Sequence, residues 1–184
     1  MKRTNLMLLS AILSCTILFT SCKKEVAAEP EAATVSIANE TKTINMLLDN
    51  WHTAAAKGDH NGYFGKIAED GRYLGTDATE NWDKKAFDAF AKPYFDKGQA
   101  WDFKALERNI YFSKDGRTAW FDELLDTWMK ACRGSGVLEK EGNEWKIKHY
   151  VLSMTVPNDA IDAVIPAKAK YEDSLIAKMK TAKK

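Results

Sequence analysis

Period-two alternation of apolar and polar side chains dominates the second half of the chain. Residues 117–156 divide into three consecutive strands, at 117–131, 133–142 and 143–156. In the last of these, Trp145, Ile147, His149, Val151 and Ser153 alternate with Lys146, Lys148, Tyr150, Leu152 and Met154. Such alternation marks a strand with one buried face. Lys146 and Lys148 assign the second set to the outside, so His149 is expected to point inward. In the first strand Trp120, Asp122, Leu124 and Asp126 share one face, and Phe121, Glu123, Leu125 and Thr127 the other. Each of these faces mixes apolar and acidic groups, so both are expected to meet more than bulk water. A further strand, within residues 100–113, sets Trp101, Phe103, Ala105 and Glu107 opposite Asp102, Lys104, Leu106 and Arg108. Turns are predicted at Lys114-Asp115-Gly116 and, as a tight hairpin, at Glu141-Gly142-Asn143. Gly134 and Gly136 inside the middle strand predict a bulge or bend, which would curl the sheet around a pocket.

The first half of the chain has helical periodicity instead. Ile44, Leu47, Leu48, Trp51 and Ala55 line one face of a helix over residues 36–57. Gly58 ends it, and Asp59 caps a short second helix holding Tyr63, Phe64 and Ile67. His52 and His60 are expected at the surface or at helix ends, and their spacing matches no helical metal pair. A short strand follows at residues 71–76. Asp83 is then a good N-cap for a third helix, with Trp82 stapled onto Phe87, and Phe87, Phe90 and Ala91 on its buried face. Pro93 is expected to end or kink that helix at Lys92. Beyond the last strand, Pro157-Asn158-Asp159 stops the sheet and opens a lysine-rich helix interrupted by Pro166. Ile161, Val164, Ile165, Tyr171, Leu175 and Met179 lie along this helix, which is expected to pack on the outside of the domain.

The N-terminus adds an address. Residues 1–21 have the layout of a secretory signal, with basic Lys2 and Arg3 before an apolar run from Leu6 to Phe19. That run is too short to cross a membrane comfortably. It ends in Leu18-Phe19-Thr20-Ser21-Cys22, which resembles a bacterial lipobox, where cleavage precedes a cysteine that becomes diacylated. Phe19 stands where leucine is usual, and the rival Cys15 sits inside the apolar run. Cys22 is thus the expected lipidation site, holding an exported protein to a bacterial membrane in the cell envelope. Residues 22–35 form a polar Ala/Glu-rich tether, 36–158 the domain, and 159–184 a C-terminal helical extension. Once Cys22 is acylated, Cys132 has no partner for an internal disulfide and is expected to be a small packed residue.

Composition sets limits more than it suggests chemistry. The 184 residues are 45% hydrophobic and 11% aromatic, ample for one core. The formal charge is +1 without any basic block, which argues against a nucleic-acid partner. No cofactor motif and no metal-ligand set is present in the sequence.

The segments LDNWHTAAAKGD, FGKIAEDGRYLGTDATENW, AWFDELLD, RGSGVLEKEGNEWKIKHYVLS and VPND, spanning about Ile44 to Asp159, resemble the SnoaL-like branch of the nuclear transport factor 2-like superfamily. The resemblance implies an α+β fold: a cone-shaped half-barrel of curved antiparallel sheet packed against three N-terminal helices. It also implies a pocket between helices and sheet, and dimers formed through the outer sheet face. Isomerases, cyclases, dehydratases, small-molecule binders and structural modules share the fold, so the fold does not select a function.

Within that cone the expected pocket lining is Tyr63, Trp82, Trp101, Trp120, Arg133 and His149, with Asp77 and Glu80 as caps at its mouth. The leading expectation is a small, partly apolar ligand, bound with or without catalysis. A proton-transfer enzyme would use His149 with Asp122 or Glu123. Against it stands a structural reading in which the inward carboxylate is spent on Arg133, because a buried acid without a partner is costly. A third expectation is a module that pairs with a second copy near Tyr150, Leu152 and Met154.

Overall fold

A computed structural model of the chain describes residues 36–182. The expected signal peptide, lipidation site Cys22 and tether lie outside the described residues. Helix α1 (Ile37–Ala56) and the short α2 (His60–Phe64) lead into strands β1 (Ile67–Leu74) and β2 (Asn81–Asp83). Helix α3 (Lys84–Phe95) is followed by β3 (Lys104–Phe112), β4 (Thr118–Thr127), β5 (Lys130–Glu141) and β6 (Glu144–Met154). A 3-10 turn at Asn158–Ala160 opens α4 (Ile161–Ala182). The strands form one curved, unclosed sheet in the order β2-β1-β6-β5-β4-β3. All neighbours are antiparallel except β1 and β6, which run parallel. A parallel pair needs a long crossover, and here β2 through β5 supply it.

Local chemistry explains the helix boundaries. The Asp59 carboxylate accepts the Gly62 N–H at 2.9 Å, and the Asp83 carboxylate accepts the Ala86 N–H at 2.8 Å. Pro93 does not end α3, which runs on to Phe95. Proline forfeits one backbone bond there, and burial of the Phe95 ring offsets the loss. Along α1 the buried stripe is Ile44, Leu48, Trp51, His52, Ala54 and Ala55, at i, i+4, i+7, i+8, i+10 and i+11 spacing from Ile44. His52 is therefore a core residue, not a surface one. Helix α4 has no buried residue and contributes none to the hydrophobic core.

Two one-residue irregularities decide which side chains enter the cone. On β6, Ile147 pairs with Leu138 and His149 with Val137, which leaves Lys148 as an extra residue. Lys148 reaches out to pair with Asp70, and the parity of everything after it is reversed. Tyr150 and Leu152 consequently point inward and are buried, whereas His149 lies half-buried on the outer face. On β3 a shift between Ala105 and Glu107 expels Leu106 to solvent, so Arg108 points inward in place of Glu107. Gly134 and Gly136, where a bulge or bend was expected, keep regular register with β4. Their role is clearance: a Cβ on Gly134 would lie 2.4 Å from the Tyr150 hydroxyl oxygen and 2.9 Å from Glu123. Strand β4 also ends earlier than its sequence suggests. Trp128 and Met129 make a tight turn, in which the Thr127 hydroxyl accepts the Met129 N–H at 3.0 Å and donates to the Lys130 carbonyl at 2.9 Å. Lys130 completes that turn at a left-handed φ of 70°.

Candidate functional site

The interior of the cone is filled largely by the protein's own rings. Trp51 stacks on Tyr63 at 4.8 Å and meets the edge of Tyr150 at 4.8 Å, while Tyr73 stacks on Phe87 at 3.9 Å. Each of these buried rings contributes a few kcal/mol of apolar burial, and together they close the depth of the cone.

A carboxylate sits within this packing. Glu123 is 0% exposed, at a site where an unpaired charge would be prohibitively costly. Its Oε1 accepts from His52 Nε2 at 2.9 Å and from the Tyr150 hydroxyl at 3.0 Å. Its Oε2 accepts from Arg108 Nε at 2.9 Å. Arg108 extends the network to Asp49 Oδ1 at 2.8 Å and to the Asn45 side chain at 3.2 Å. Burial alone would raise the Glu123 pKa, but the His52 bond and the charges of His52 and Arg108 outweigh it, so the carboxyl is held below its usual range. Burial, followed by the Glu123 charge, pushes the Tyr150 phenol well above its usual range. Glu123 is thus an ionised structural anchor with its hydrogen-bonding capacity committed.

A pocket of about 200 Å³ remains at the mouth of the cone. It lies among α3, the β1–β2 connection, the segment before β3 and the β4–β5 turn. Trp82, Phe90, Tyr94, Trp101 and Trp128 form its aromatic walls, and Glu80 is its one carboxylate. Trp82 stacks on Phe90 at 4.6 Å, and Trp128 at the rim is 79% exposed. Glu80 Oε2 accepts the Asp77 N–H at 3.1 Å, which fixes the carboxylate at the loop's edge. Burial, then the Glu80 charge, raises the pKa of Tyr73 in the pocket lining.

The predicted site residues therefore scatter. Trp82, Trp101 and Glu80 do line the mouth, and Tyr63 lies fully buried in the core. Trp120 faces outward, 46% exposed, and stacks on Tyr111 at 6.0 Å. Asp122 and Arg133 are also on the outer face, 3.5 Å apart. Only Glu123 among the proposed proton-transfer groups points into the cone, and its partner is Arg108, not Arg133. His149 and Glu123 lie on opposite faces, so the proton-transfer pairing of His149 with Glu123 has no geometric basis, and Asp122 faces away from the interior. Tyr150 and Leu152, expected on a dimerising outer surface, are inside, whereas Tyr111 and Trp120 supply that surface with exposed rings. Sequence reading missed His52, Arg108, Tyr94 and Trp128. For His52 the signal was present, since it continues the stripe from Ile44 and Leu48.

Cys132 is buried and free, with its Sγ 3.5 Å from the Thr127 hydroxyl. Among the described residues, no group of three histidine, cysteine or acidic side chains is placed to hold a metal ion, and no helix is long and apolar enough to cross a membrane.

The model of the SnoaL-like domain family matches residues 44–157, well over half of the chain. The chain belongs to the SnoaL-like family. Solved structures share its fold at low identity. An NTF2-like protein of unknown function from Pseudomonas putida is 15% identical with a TM-score of 0.55, over 67% of this chain and 92% of that one. A cystatin-like domain of unknown function from Nostoc punctiforme is 16% identical with a TM-score of 0.56, over 79% and 99%. A putative scytalone dehydratase from Novosphingobium aromaticivorans is 10% identical with a TM-score of 0.54, over 65% and 86%. No curated protein matches the chain. This SnoaL-like domain thus sits in a fold that hosts both enzymes and ligand binders, and its own side chains must decide between them.

Proposed function

We propose that this SnoaL-like domain binds a small, partly apolar molecule at the mouth of its cone, without catalysing its conversion. The observation that carries the reading is the pocket of about 200 Å³ walled by Trp82, Phe90, Tyr94, Trp101 and Trp128. Aromatic walls with a few polar groups are the usual make-up of a small-molecule site. The buried carboxylate of the interior is committed to its neighbours: Glu123 is bound by His52, Tyr150 and Arg108. In this reading the protein is exported and lipid-anchored through Cys22, and presents the pocket from the membrane surface.

Native mass spectrometry of the full chain, purified under mild conditions, is expected to reveal a bound small molecule. Trp101→Ala should lose at least tenfold in affinity for it, the effect of about 1.4 kcal/mol of lost aromatic contact. If a broad panel of charged and neutral small molecules leaves tryptophan fluorescence and Tm unchanged, the binding reading fails. The anchor is checked separately. Metabolic labelling with a radioactive fatty acid is expected to mark the wild-type chain, and Cys22→Ser should abolish the label and release the protein from membranes. A wild-type chain that takes up no label would remove the lipid from the account, and a Cys22→Ser chain that stays labelled would remove Cys22 as its site.

A further inference from the structure

The mouth pocket has a charge imbalance that its apolar walls make consequential. Glu80 accepts one backbone bond, from the Asp77 N–H at 3.1 Å, and no lysine, arginine or histidine lines the pocket to neutralise it. The neighbouring walls are π systems: Trp82, Phe90, Tyr94, Trp101 and Trp128. Tyr73, also in the lining, has its phenol proton held more tightly by burial and by the charge of Glu80, so the negative potential reaches into the site. A neutral apolar ligand seated there would strip water from the Glu80 carboxylate and offer nothing in return, which costs binding energy. A cation reverses that sign. It pairs with the carboxylate and is attracted by the negative faces of aromatic rings, an interaction that strengthens as the site dries. A compact ammonium ion with methyl or methylene groups also gives the walls apolar surface to cover.

From this geometry we infer that the ligand is a small organic cation, of the alkylated or quaternary ammonium class, held by Glu80 and the aromatic mouth. The inference rests on the binding function proposed for the same pocket and specifies its chemistry. Glu80 supplies the counter-charge, and Trp82 and Trp101, nearer the core than Trp128, supply the more desolvated rings. The exposed ring of Trp128 stands at the rim, where it meets whatever enters.

The test compares two molecules of nearly the same shape. Choline and its neutral carbon isostere, 3,3-dimethyl-1-butanol, are titrated into the purified full chain in an amine-free phosphate buffer, with tryptophan fluorescence and calorimetry as readouts. Choline is expected to bind at least tenfold tighter than the isostere, and Glu80→Gln, which keeps the side chain's shape and its acceptor for the Asp77 N–H, should erase most of that difference. Raised ionic strength should weaken choline and leave the isostere unaffected. Equal binding of the two molecules would overturn the cation inference while leaving an apolar-ligand pocket intact. A choline preference unchanged in a folded Glu80→Gln variant, verified by circular dichroism, would overturn the role of Glu80. Failure of choline to bind, when a neutral molecule of the wider panel does, would overturn the cation class alone; failure of every member removes the binding function itself.

Discussion

Glu123→Gln is expected to destabilise the domain by about 3–5 kcal/mol, the cost of breaking a buried ion pair by removing one partner. The substitution keeps the shape of the side chain but leaves Arg108, whose side chain is almost as buried, with only the exposed Asp49 carboxylate as counter-charge. At roughly 2–4 °C per kcal/mol for a domain of this size, Tm should fall by roughly 6–20 °C in circular dichroism. The pH dependence has a definite sign. Because the folded-state pKa of Glu123 is depressed, its contribution is fully present above the ordinary carboxylate range and is lost as pH falls through the lower folded value. The wild-type chain should therefore lose stability on acidification by more than Glu123→Gln does. Adding Arg108→Met to Glu123→Gln should recover part of the loss, since the stranded charge goes with it. An unchanged Tm in the single variant, or no recovery in the double, would show that the pairing does not hold the core.

A second large effect separates two adjacent residues. Tyr150→Ala is expected to cost about 3–5 kcal/mol, the range for removing a large ring from a packed interior. The variant loses contacts with Trp51 and Tyr73, and the hydroxyl bond to Glu123 at 3.0 Å. His149→Ala should cost about 1 kcal/mol or less, since that side chain is on the outer face. Chemical denaturation of both variants gives the comparison directly. The reverse order would mean that the imidazole, not the phenol, belongs to the core.

The same contrast marks what was legible in the sequence. Features written in a few neighbouring residues could be read: the Asp59 and Asp83 caps and the Gly142 hairpin. On β4 the alternation was legible but not its sense, since both faces mix apolar and acidic groups: Trp120 was expected in the pocket, whereas Phe121, Glu123 and Leu125 are the inward set. The helix, helix, strand, helix, sheet order was recognisable because the α1 stripe and the strand alternation have different periods. Reading failed where a strand changed phase without a conventional marker. Lys148 and Leu106 are neither glycine nor proline; Lys148 is paired with Asp70, far along the chain, and Leu106 is turned to solvent. The parity of His149 was lost at Lys148, and the inward turn of Arg108 at Leu106. The site suffered more than the fold because a one-residue slip leaves a strand a strand but exchanges its faces. The aromatic mouth was half legible: Trp82 and Trp101 were expected there, but Trp128 was hidden inside what looked like a continuous strand.

The extra residue in β6 also has a bearing on how relatives should be compared. In any pairwise superposition by strand position, a relative with an uninterrupted β6 will place its inward residue beside this chain's outward one from that point on. Functional groups transferred column by column would then land on the wrong side of the sheet. A one-residue gap opposite Lys148 restores the correspondence, making that position the natural place to sort family members before any of their chemistry is assigned by analogy.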